Sequence, residues 1–227
     1  MAFSLMTWNV QRLTENSRTY KWDIVKQWLN RVQPDVLGLI EIGPDVDVPG
    51  YSIINYVNTL TWDYSRKTQL CIAAYLKNGT HVTSTGARTL RVHDSQSQKR
   101  AQLKANIRDG PNTFSIYIMH ATASRSGGID ATTAATSGVR INKRSIYAGD
   151  FNYDLRLDAA MLNISNTADV SLTRSQTIAG TVTKTHKSGS HLDFALSGSQ
   201  TTVQPVQMRA YGNWRTIDHA PVAFRVS

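Results

Sequence analysis

Polar side chains that could do chemistry stand at the ends of several short apolar runs in this sequence. A polar group that interrupts a strand at its end is costly to bury unless it is paired or bound. Each of these residues has an ordinary explanation when taken alone, such as a turn cap, a helix start or an ion pair. Taken together, they predict one site at which several strand ends converge. The residues are Asn9, Glu41, His120, Asp150, Asn152, Asp193, Asp218 and His219.

The residue types narrow the chemistry of this predicted site. Carboxylate and amide oxygens without a cysteine favour a hard cation, so we predict Mg²⁺, with Mn²⁺ or Ca²⁺ as alternatives. His120 and His219 are not four residues apart on one helix, as zinc ligands often are, so both are available to transfer protons. The set predicts metal-assisted hydrolysis of a phosphoester.

The charge of the chain agrees with an anionic substrate but does not identify it. The 227 residues include 25 Lys and Arg against 16 Asp and Glu, a net charge of +9. Such an excess suits nucleic acid, an anionic lipid surface or a phosphorylated substrate. On charge alone, a basic soluble protein with no such partner is the simpler interpretation.

The elements that must position the polar residues are mostly strands. Runs rich in Val, Ile, Tyr and Phe, bounded by Gly, Asn, Asp or Ser, predict strands, and residues 43–113 are nearly all strand and turn. The predicted strands are Phe3–Val10, Val36–Ile42, Tyr51–Val57, Leu70–Leu76, Ala101–Ile107, Phe114–Ala121, Ser145–Phe151, Leu192–Leu196 and Pro221–Val226.

Helices are fewer. Apolar residues recur at helical spacing over Tyr20–Gln33, and Pro34 ends that segment. Two weaker helices are predicted at Asp130–Val139 and Leu155–Leu162. Strands outnumber helices without strict alternation, which predicts mixed sheets with helices on their outer faces.

The composition predicts one globular domain over residues 1–227. Hydrophobic residues make up 41% and charged residues 18%, and no linker, low-complexity tract or repeat divides the chain. The single cysteine, Cys71, excludes an intrachain disulfide, so the fold must rest on packing. No apolar run reaches the roughly 20 residues of a membrane span, and the first ten residues lack the pattern of a signal peptide.

Six motifs, taken in order, resemble those of the endonuclease/exonuclease/phosphatase superfamily, which includes deoxyribonuclease I. The segment from His120 to Ala131 is similar to the catalytic B subunit of cytolethal distending toxins, and the motifs together span residues 7–222. The motifs are Thr7-Trp8-Asn9-Val10, Ile40-Glu41-Ile42, Met119-His120-Ala121, Gly149-Asp150-Phe151-Asn152, Leu192-Asp193-Phe194 and Asp218-His219-Ala220-Pro221-Val222.

The resemblance implies a fold and a metal site. The fold would be a four-layered α/β sandwich, with two mixed β-sheets packed face to face and helices outside. Glu41 would bind the metal, with Asn9 in the same pocket and Asp218 on the metal side. His219 would activate the attacking water, and Asp193 would orient His219.

The resemblance also assigns the residues that handle the phosphate. His120 would donate a proton to the leaving oxygen, and Asp150 with Asn152 would position the phosphate and the nucleophile. Arg100 and Lys67 would contact phosphate as cations. The segment around Lys67 carries no carboxylate, whereas deoxyribonuclease I pairs its first histidine with a glutamate, so the partner of His120 is left open.

Three functions are compatible with these residues. The first is a Mg²⁺-dependent phosphodiesterase that nicks DNA, drawn to its substrate by the basic surface. The second is a phosphoinositide phosphatase that uses the same site. The third is a binding module that has lost turnover, which has no physical need of both histidines.

The resemblance to the toxin subunits carries expectations about partners and location. It implies a secreted toxin-type subunit that acts in the host cell nucleus on DNA, or on phosphoinositide lipid headgroups. It further implies toxin delivery subunits, which this sequence does not identify. We expect neither a transmembrane segment nor a signal peptide in this chain.

Overall fold

The computed structural model describes residues 2–13, 19–44, 46–63, 68–93, 99–123, 125–154, 170–174, 185–188, 190–207 and 217–227. These residues form strands joined by turns and two helices. In chain order the elements are β1 (Phe3–Leu13), α1 (Thr19–Val32), β2 (Val36–Ile42), β3 (Tyr51–Asp63), β4 (Thr68–Lys77), β5 (Thr83–His93), β6 (Lys99–Asp109), β7 (Asn112–His120), α2 (Arg125–Ile141), β8 (Ser145–Asp150), β9 (Val170–Arg174), β10 (Asp193–Gly198), β11 (Val203–Pro205) and β12 (Val222–Val226).

The strands form two six-stranded sheets. The first sheet has the order β11-β12-β1-β2-β4-β3, and the second has the order β5-β6-β7-β8-β10-β9. Each sheet is mixed, because β1 and β2 are parallel in the first and β7 and β8 in the second, while the other neighbours are antiparallel.

The two sheets pack face to face through aliphatic side chains. Ile40 and Ile72 of the first sheet share one buried cluster with Ile118 and Ile146 of the second. Each such fully buried side chain contributes about 1.5–3 kcal/mol through removal of its surface from water. A Cβ on Gly38 would lie 2.7 Å from Ile118 Cδ1, so a larger residue there would displace this core side chain between the sheets.

Each outer face of the sandwich is covered by a helix. Trp28 of α1 packs edge to face on Trp8 of the first sheet, with ring centroids 6.3 Å apart. Ala135 and Val139 of α2 belong to the same buried cluster as Phe194 of the second sheet. The structure therefore confirms the predicted four-layered α/β sandwich with helices outside.

Every strand predicted from the sequence is present. The helix predicted at Tyr20–Gln33 is present as α1, and that at Asp130–Val139 is part of the longer α2. The threonines of α2 are accommodated in the helix because their hydroxyls donate hydrogen bonds to carbonyls one turn earlier. Thr132, for example, donates to the carbonyl of Gly128 at 2.7 Å. The helix predicted at Leu155–Leu162 lies outside the described residues.

Three strands were not predicted: β5, β9 and β11. They lie at sheet edges and carry polar residues, so no apolar run marks them, and their pairing with β6, β10 and β12 makes them strands. No helix in the described part of the chain is both long and apolar enough to cross a membrane.

The topology brings the predicted polar residues to one end of the sandwich. The parallel strands β1 and β2 run in the same direction, as do β7 and β8. The antiparallel strands β10 and β12 begin where β8 and β1 approach their ends, because Asp193 pairs with Asp150 and Val222 pairs with Thr7.

Candidate active site

Asp150, the last residue of β8, is the centre of a buried polar pocket. Its side chain is 1% exposed. Its Oδ2 accepts a hydrogen bond from Asn9 Nδ2 at 3.0 Å, which links the two sheets. The same oxygen lies 3.7 Å from His219 Nε2 and 3.9 Å from His120 Nε2. Asp150 therefore brings both predicted catalytic histidines to one carboxylate.

Asn152 fixes the other side of this carboxylate. Its backbone N–H donates to Asp150 Oδ1 at 2.8 Å, and its side-chain Nδ2 donates to the carbonyl oxygen of Ala121 at 2.9 Å. Donors from Asn9 and Asn152 thus hold both oxygens of Asp150.

The backbone before Asp150 requires glycine. Gly149 has φ 136°, and a Cβ there would lie 2.4 Å from the carbonyl oxygen of Met119. A residue with a side chain would not allow β8 to lie this close to β7. The glycine of the Gly149-Asp150-Phe151-Asn152 motif therefore helps to position Asp150.

His219 and Asp193 form a buried pair. His219 Nδ1 lies 2.9 Å from Asp193 Oδ2, which fits a hydrogen bond from the imidazole to the carboxylate. Trp8 Nε1 donates to the backbone carbonyl of His219 at 2.8 Å, and the N–H of Asp193 donates to Thr185 Oγ1 at 3.0 Å. Nε2 of His219 is thereby directed at Asp150.

The surroundings raise the pKa of His219 above the ordinary value of histidine. Burial opposes this rise because it disfavours the imidazolium, but the charges of Asp193 and Asp150, the hydrogen bond to Asp193 and the charge of Glu41 outweigh it. Burial raises the pKa of the Asp193 carboxyl, and the charge and hydrogen bond of His219 act against that rise. His219 therefore holds a proton on Nδ1 against Asp193, and Nε2 faces the pocket.

His120 ends β7 and has carboxylate neighbours that the sequence did not reveal. Its Nε2 lies 3.5 Å from Glu41 Oε1 in addition to its approach to Asp150. The glutamate that ends an apolar run of the first sheet thus faces a histidine of the second sheet.

Left-handed backbone conformations cluster at this pocket. Non-glycine residues with positive φ are sparsely populated, cost about 1–3 kcal/mol each and are typical of functional sites. Most of those in the described chain lie in or beside the motifs: Gln11 (47°), Arg12 (61°), Glu41 (58°), Asn152 (48°) and Asp218 (62°).

These conformations have local causes in the strands. The register of β1 shifts after Asn9, and that of β2 shifts between Ile40 and Ile42, so each strand carries a bulge at its polar residue. The N–H of His219 donates to the carbonyl of Ile217 at 2.6 Å, which places the intervening residue at the centre of a tight three-residue turn.

Asp218 has a different environment from the other acids. Its carboxylate contacts Lys187 Nζ and Gln11 Nε2. Its placement on the metal side stays a prediction of the resemblance. Of the two predicted phosphate contacts, Lys67 lies outside the described residues, and Arg100 of β6 pairs through its backbone with Val92 of β5.

The donor set fits a hard cation on the Glu41 side of the pocket. Asp150, Asp193 and His219 each have one atom that could bind a metal ion, and these three atoms lie within 4.8 Å of one another. A cation among those three would compete with the hydrogen bond between His219 and Asp193. Glu41 is a partly buried carboxylate whose Oε1 lies 3.5 Å from His120 Nε2, a nitrogen that also approaches Asp150, and such oxygen ligands are those that Mg²⁺ prefers.

Sequence reasoning missed several residues that support the site: Trp8, Gln11, Thr185 and His186. The ring of His186 packs edge to face against His219, and burial together with the charge of His219 lowers the pKa of His186. These residues lie within a strand or in a polar turn, so no interrupted apolar run marks them. Proximity to the motifs was the one available signal.

Comparison with known proteins identifies the family of the chain. The profile of the Endonuclease/Exonuclease/phosphatase family matches residues 6–213, so the chain belongs to that family. Members of this family are phosphoester hydrolases that typically depend on a divalent metal ion. None of the curated proteins matches the chain. The closer resemblance to the toxin subunits stays a prediction of the motifs.

Solved structures show the same fold at low sequence identity. The human Nocturnin catalytic domain with a bound sulfate anion has a TM-score of 0.74 and 14% identity, covering 100% of this chain and 94% of that one. D. rerio TDP2 complexed with a single-strand DNA product has a TM-score of 0.65 and 15% identity, covering 100% and 99%. ANGEL2, a 2',3'-cyclic phosphatase, in complex with adenosine-2',3'-vanadate has a TM-score of 0.67 and 12% identity, covering 100% and 95%.

Proposed function

We propose that this chain is a Mg²⁺-dependent phosphodiesterase that nicks DNA. The observation that carries the proposal is the approach of two imidazole Nε2 atoms to one buried carboxylate, 3.7 Å and 3.9 Å from Asp150 Oδ2. Two proton-transfer groups at one anionic centre suit a displacement in which one proton leaves the nucleophile and another reaches the leaving oxygen.

His219 is proposed as the base and His120 as the acid. Water attacks phosphorus, its proton passes to His219 Nε2, and the phosphorus–oxygen ester bond breaks as His120 Nε2 gives its proton to the leaving oxygen. Asp193 holds the His219 ring through Nδ1 and stabilises the imidazolium that forms. Asn9 and Asn152 keep Asp150 in place between the histidines.

Glu41 and Asn9 are proposed to hold the Mg²⁺ ion. When bound, the ion would polarise the phosphoryl oxygen and offset the carboxylate charge that raises the pKa of His219. Asp218 is proposed as a further carboxylate on the metal side of the pocket. Its contacts in the structure are with Lys187 and Gln11.

DNA is proposed as the substrate because the net charge of +9 supplies the sequence-independent attraction to phosphates. The TDP2 structure with a DNA product shows that a protein of this fold can hold DNA. Arg100 and Lys67 are proposed to contact the phosphates beside the scissile bond.

Plasmid nicking tests the proposal. Wild type should convert supercoiled plasmid to relaxed circle with Mg²⁺ and not with EDTA. The variants His120→Ala, His219→Ala and Asp150→Asn should each lose about 100-fold or more in rate. Absence of relaxed circle from wild type, or equal nicking by all variants, would overturn the proposal.

His81→Ala is the matched control for the histidine variants. His81 follows Thr80, whose hydroxyl bonds Asp35 at the start of β2, so His81 lies at the other end of the sandwich. Its side chain is 44% exposed, and we expect near wild-type nicking.

A phosphoinositide phosphatase is the second candidate. ANGEL2 shares the fold and is a phosphatase. Release of phosphate from inositol lipids in vesicles, measured beside nicking under the same Mg²⁺ concentration, separates the two. Faster turnover of the lipid would favour the phosphatase, and no turnover of either would favour a binding module.

A further inference from the structure

A short turn lies against the segment that carries His219. Residues 185–187 run antiparallel to residues 218–220. The N–H of Lys187 donates to the carbonyl of Asp218 at 2.8 Å, and the N–H of Ala220 donates to the carbonyl of Thr185 at 2.7 Å. These two bonds flank His186 and His219, which form an isolated antiparallel bridge.

This geometry forces the two imidazoles together. Residues that face each other between two flanking hydrogen bonds form the closer type of antiparallel pair, with Cα atoms about 4.5 Å apart and side chains in contact. The ring centroids of His186 and His219 are 4.8 Å apart, and the planes cross at 65°. This is the edge-to-face arrangement that stabilises aromatic pairs.

The ring of His186 is itself held in place. The N–H of Ser188 donates to His186 Nδ1 at 3.2 Å, and Ser188 Oγ lies 2.7 Å from the same nitrogen. The N–H groups of Thr185 and His186 both donate to the carbonyl of Ser190, at 3.0 Å and 3.1 Å. The turn is therefore closed by its own hydrogen bonds and presents one face of His186 to His219.

The same turn also holds the partner of His219. Thr185 Oγ1 accepts hydrogen bonds from the N–H groups of Leu192 and Asp193, at 2.9 Å and 3.0 Å. The hydroxyl of Thr185 thus fixes the backbone of Asp193. The next residue, His186, packs on the ring of His219. The turn joins the two residues whose hydrogen bond aims Nε2 into the pocket.

We propose that His186 is a positioning residue that holds the His219 imidazole in the plane in which its Nδ1 meets Asp193. In this role His186 acts through the packing of its ring on His219, while Ser188 holds its Nδ1. The inference rests on the proposed function for its effect on rate, but the geometry of the His219–Asp193 pair is a separate property of the folded chain.

Two substitutions separate packing from nitrogen chemistry. His186→Phe keeps an aromatic ring against His219 and removes both nitrogens, whereas His186→Ala removes the ring. For nicking, we expect kcat of His186→Ala to fall about 10-fold or more at nearly unchanged KM, because a misplaced base loses alignment with its substrate. His186→Phe should stay within about 3-fold of wild type.

A spectroscopic readout tests the geometry without activity. In protein with ¹⁵N-labelled histidine, the low-field Nδ1–H resonance of His219, assigned by its loss in His219→Gln, should persist in His186→Phe. It should broaden or vanish in His186→Ala, with His81→Ala as the control. Thermal unfolding of each variant verifies that it is folded.

The outcomes are decisive in either direction. Unchanged kcat and an unchanged resonance in His186→Ala would overturn the inference. Equal loss in His186→Phe and His186→Ala would also overturn it, because the nitrogens and not the ring would then matter. If wild type does not nick DNA, the proposed function fails, and the resonance alone decides the role of His186.

Discussion

Asp150 is the side chain on which the arrangement of the pocket depends. It accepts hydrogen bonds from Asn9 and Asn152, and it lies within 4 Å of the imidazoles of His120 and His219. Glu41 faces the same pocket but also approaches His120. Glu41 therefore has two possible roles: it can bind the metal ion, or it can interact with His120.

Substitution of Glu41 by Gln separates these two roles. Loss of a charged oxygen ligand should raise the Mg²⁺ concentration for half-maximal nicking by about 10-fold or more. Mg²⁺ titration of the nicking rate measures this, with Asp47→Asn, an exposed acid, as the control. A lower rate at unchanged Mg²⁺ dependence would instead assign Glu41 to His120.

The strands meet the pocket through irregularities. β1 and β2 change register at their polar residues, and β8 reaches Asp150 through Gly149, whose φ is 136°. A regular strand would alternate its side chains between the two faces of a sheet. Bulges and a glycine therefore aim polar side chains where the regular repeat would not.

Gly149→Ala should destabilise the protein by about 2 kcal/mol or more, because a Cβ would add a clash with the Met119 carbonyl to the strain of positive φ. Gly86 is the matched control, since its φ is 148° and nothing lies within 4 Å of its added Cβ. Gly86→Ala should cost about 1 kcal/mol. Urea unfolding measures both, and equal losses would show that the Met119 contact contributes nothing.

At the opposite end of the sandwich, Asp35 ties three segments together. Ser4 donates through its backbone N–H and its hydroxyl to Oδ2, both at 2.8 Å, and Thr80 Oγ1 donates to Oδ1 at 2.5 Å. Burial alone would raise the pKa of Asp35, but the hydrogen bonds from Thr80 and Ser4 and the charge of His81 lower it below the ordinary value. This carboxylate fixes the start of β1 and of β2.

Asp35→Asn should therefore lower the free energy of unfolding by about 1–3 kcal/mol at pH 7. Because the pKa is lower in the folded state, the carboxylate stabilises the fold above the unfolded pKa of about 3.9, and this is lost as pH falls through the folded pKa. The difference between wild type and variant should shrink from about pH 4 downward. Urea unfolding across pH tests this, and a difference independent of pH would contradict it.

The molecule as a whole places one site across two sheets. Asn9 and Asp150 are 141 residues apart in sequence, and their hydrogen bond crosses the sandwich that the aliphatic core holds closed. Loss of core packing should thus disturb the pocket even where no site residue changes. The net charge of +9 is also a property of the whole molecule, because its attraction of phosphates sums over the surface.

DNA affinity should fall steeply with salt. For Asp150→Asn, which keeps the charge surplus and should not cleave, we expect Kd for a DNA duplex to rise about 10-fold or more between 50 and 200 mM NaCl, because bound cations are released from phosphates. Fluorescence anisotropy measures this Kd. The variant Arg88→Gln, at an exposed position of β5, shows how much the removal of one positive charge changes it. Affinity that is independent of salt would contradict an electrostatic role for the basic surface.

Local pattern in the sequence determined the strands with apolar runs, the helix α1 and the polar residues at strand ends, because hydrophobic periodicity is a property of neighbouring residues. Tertiary structure alone decided that His120 faces Glu41, that His186 packs on His219, and that β5, β9 and β11 are strands. The reason is that these features depend on pairing between segments far apart in the chain, where a polar edge strand or a polar turn acquires its conformation from the partner it meets.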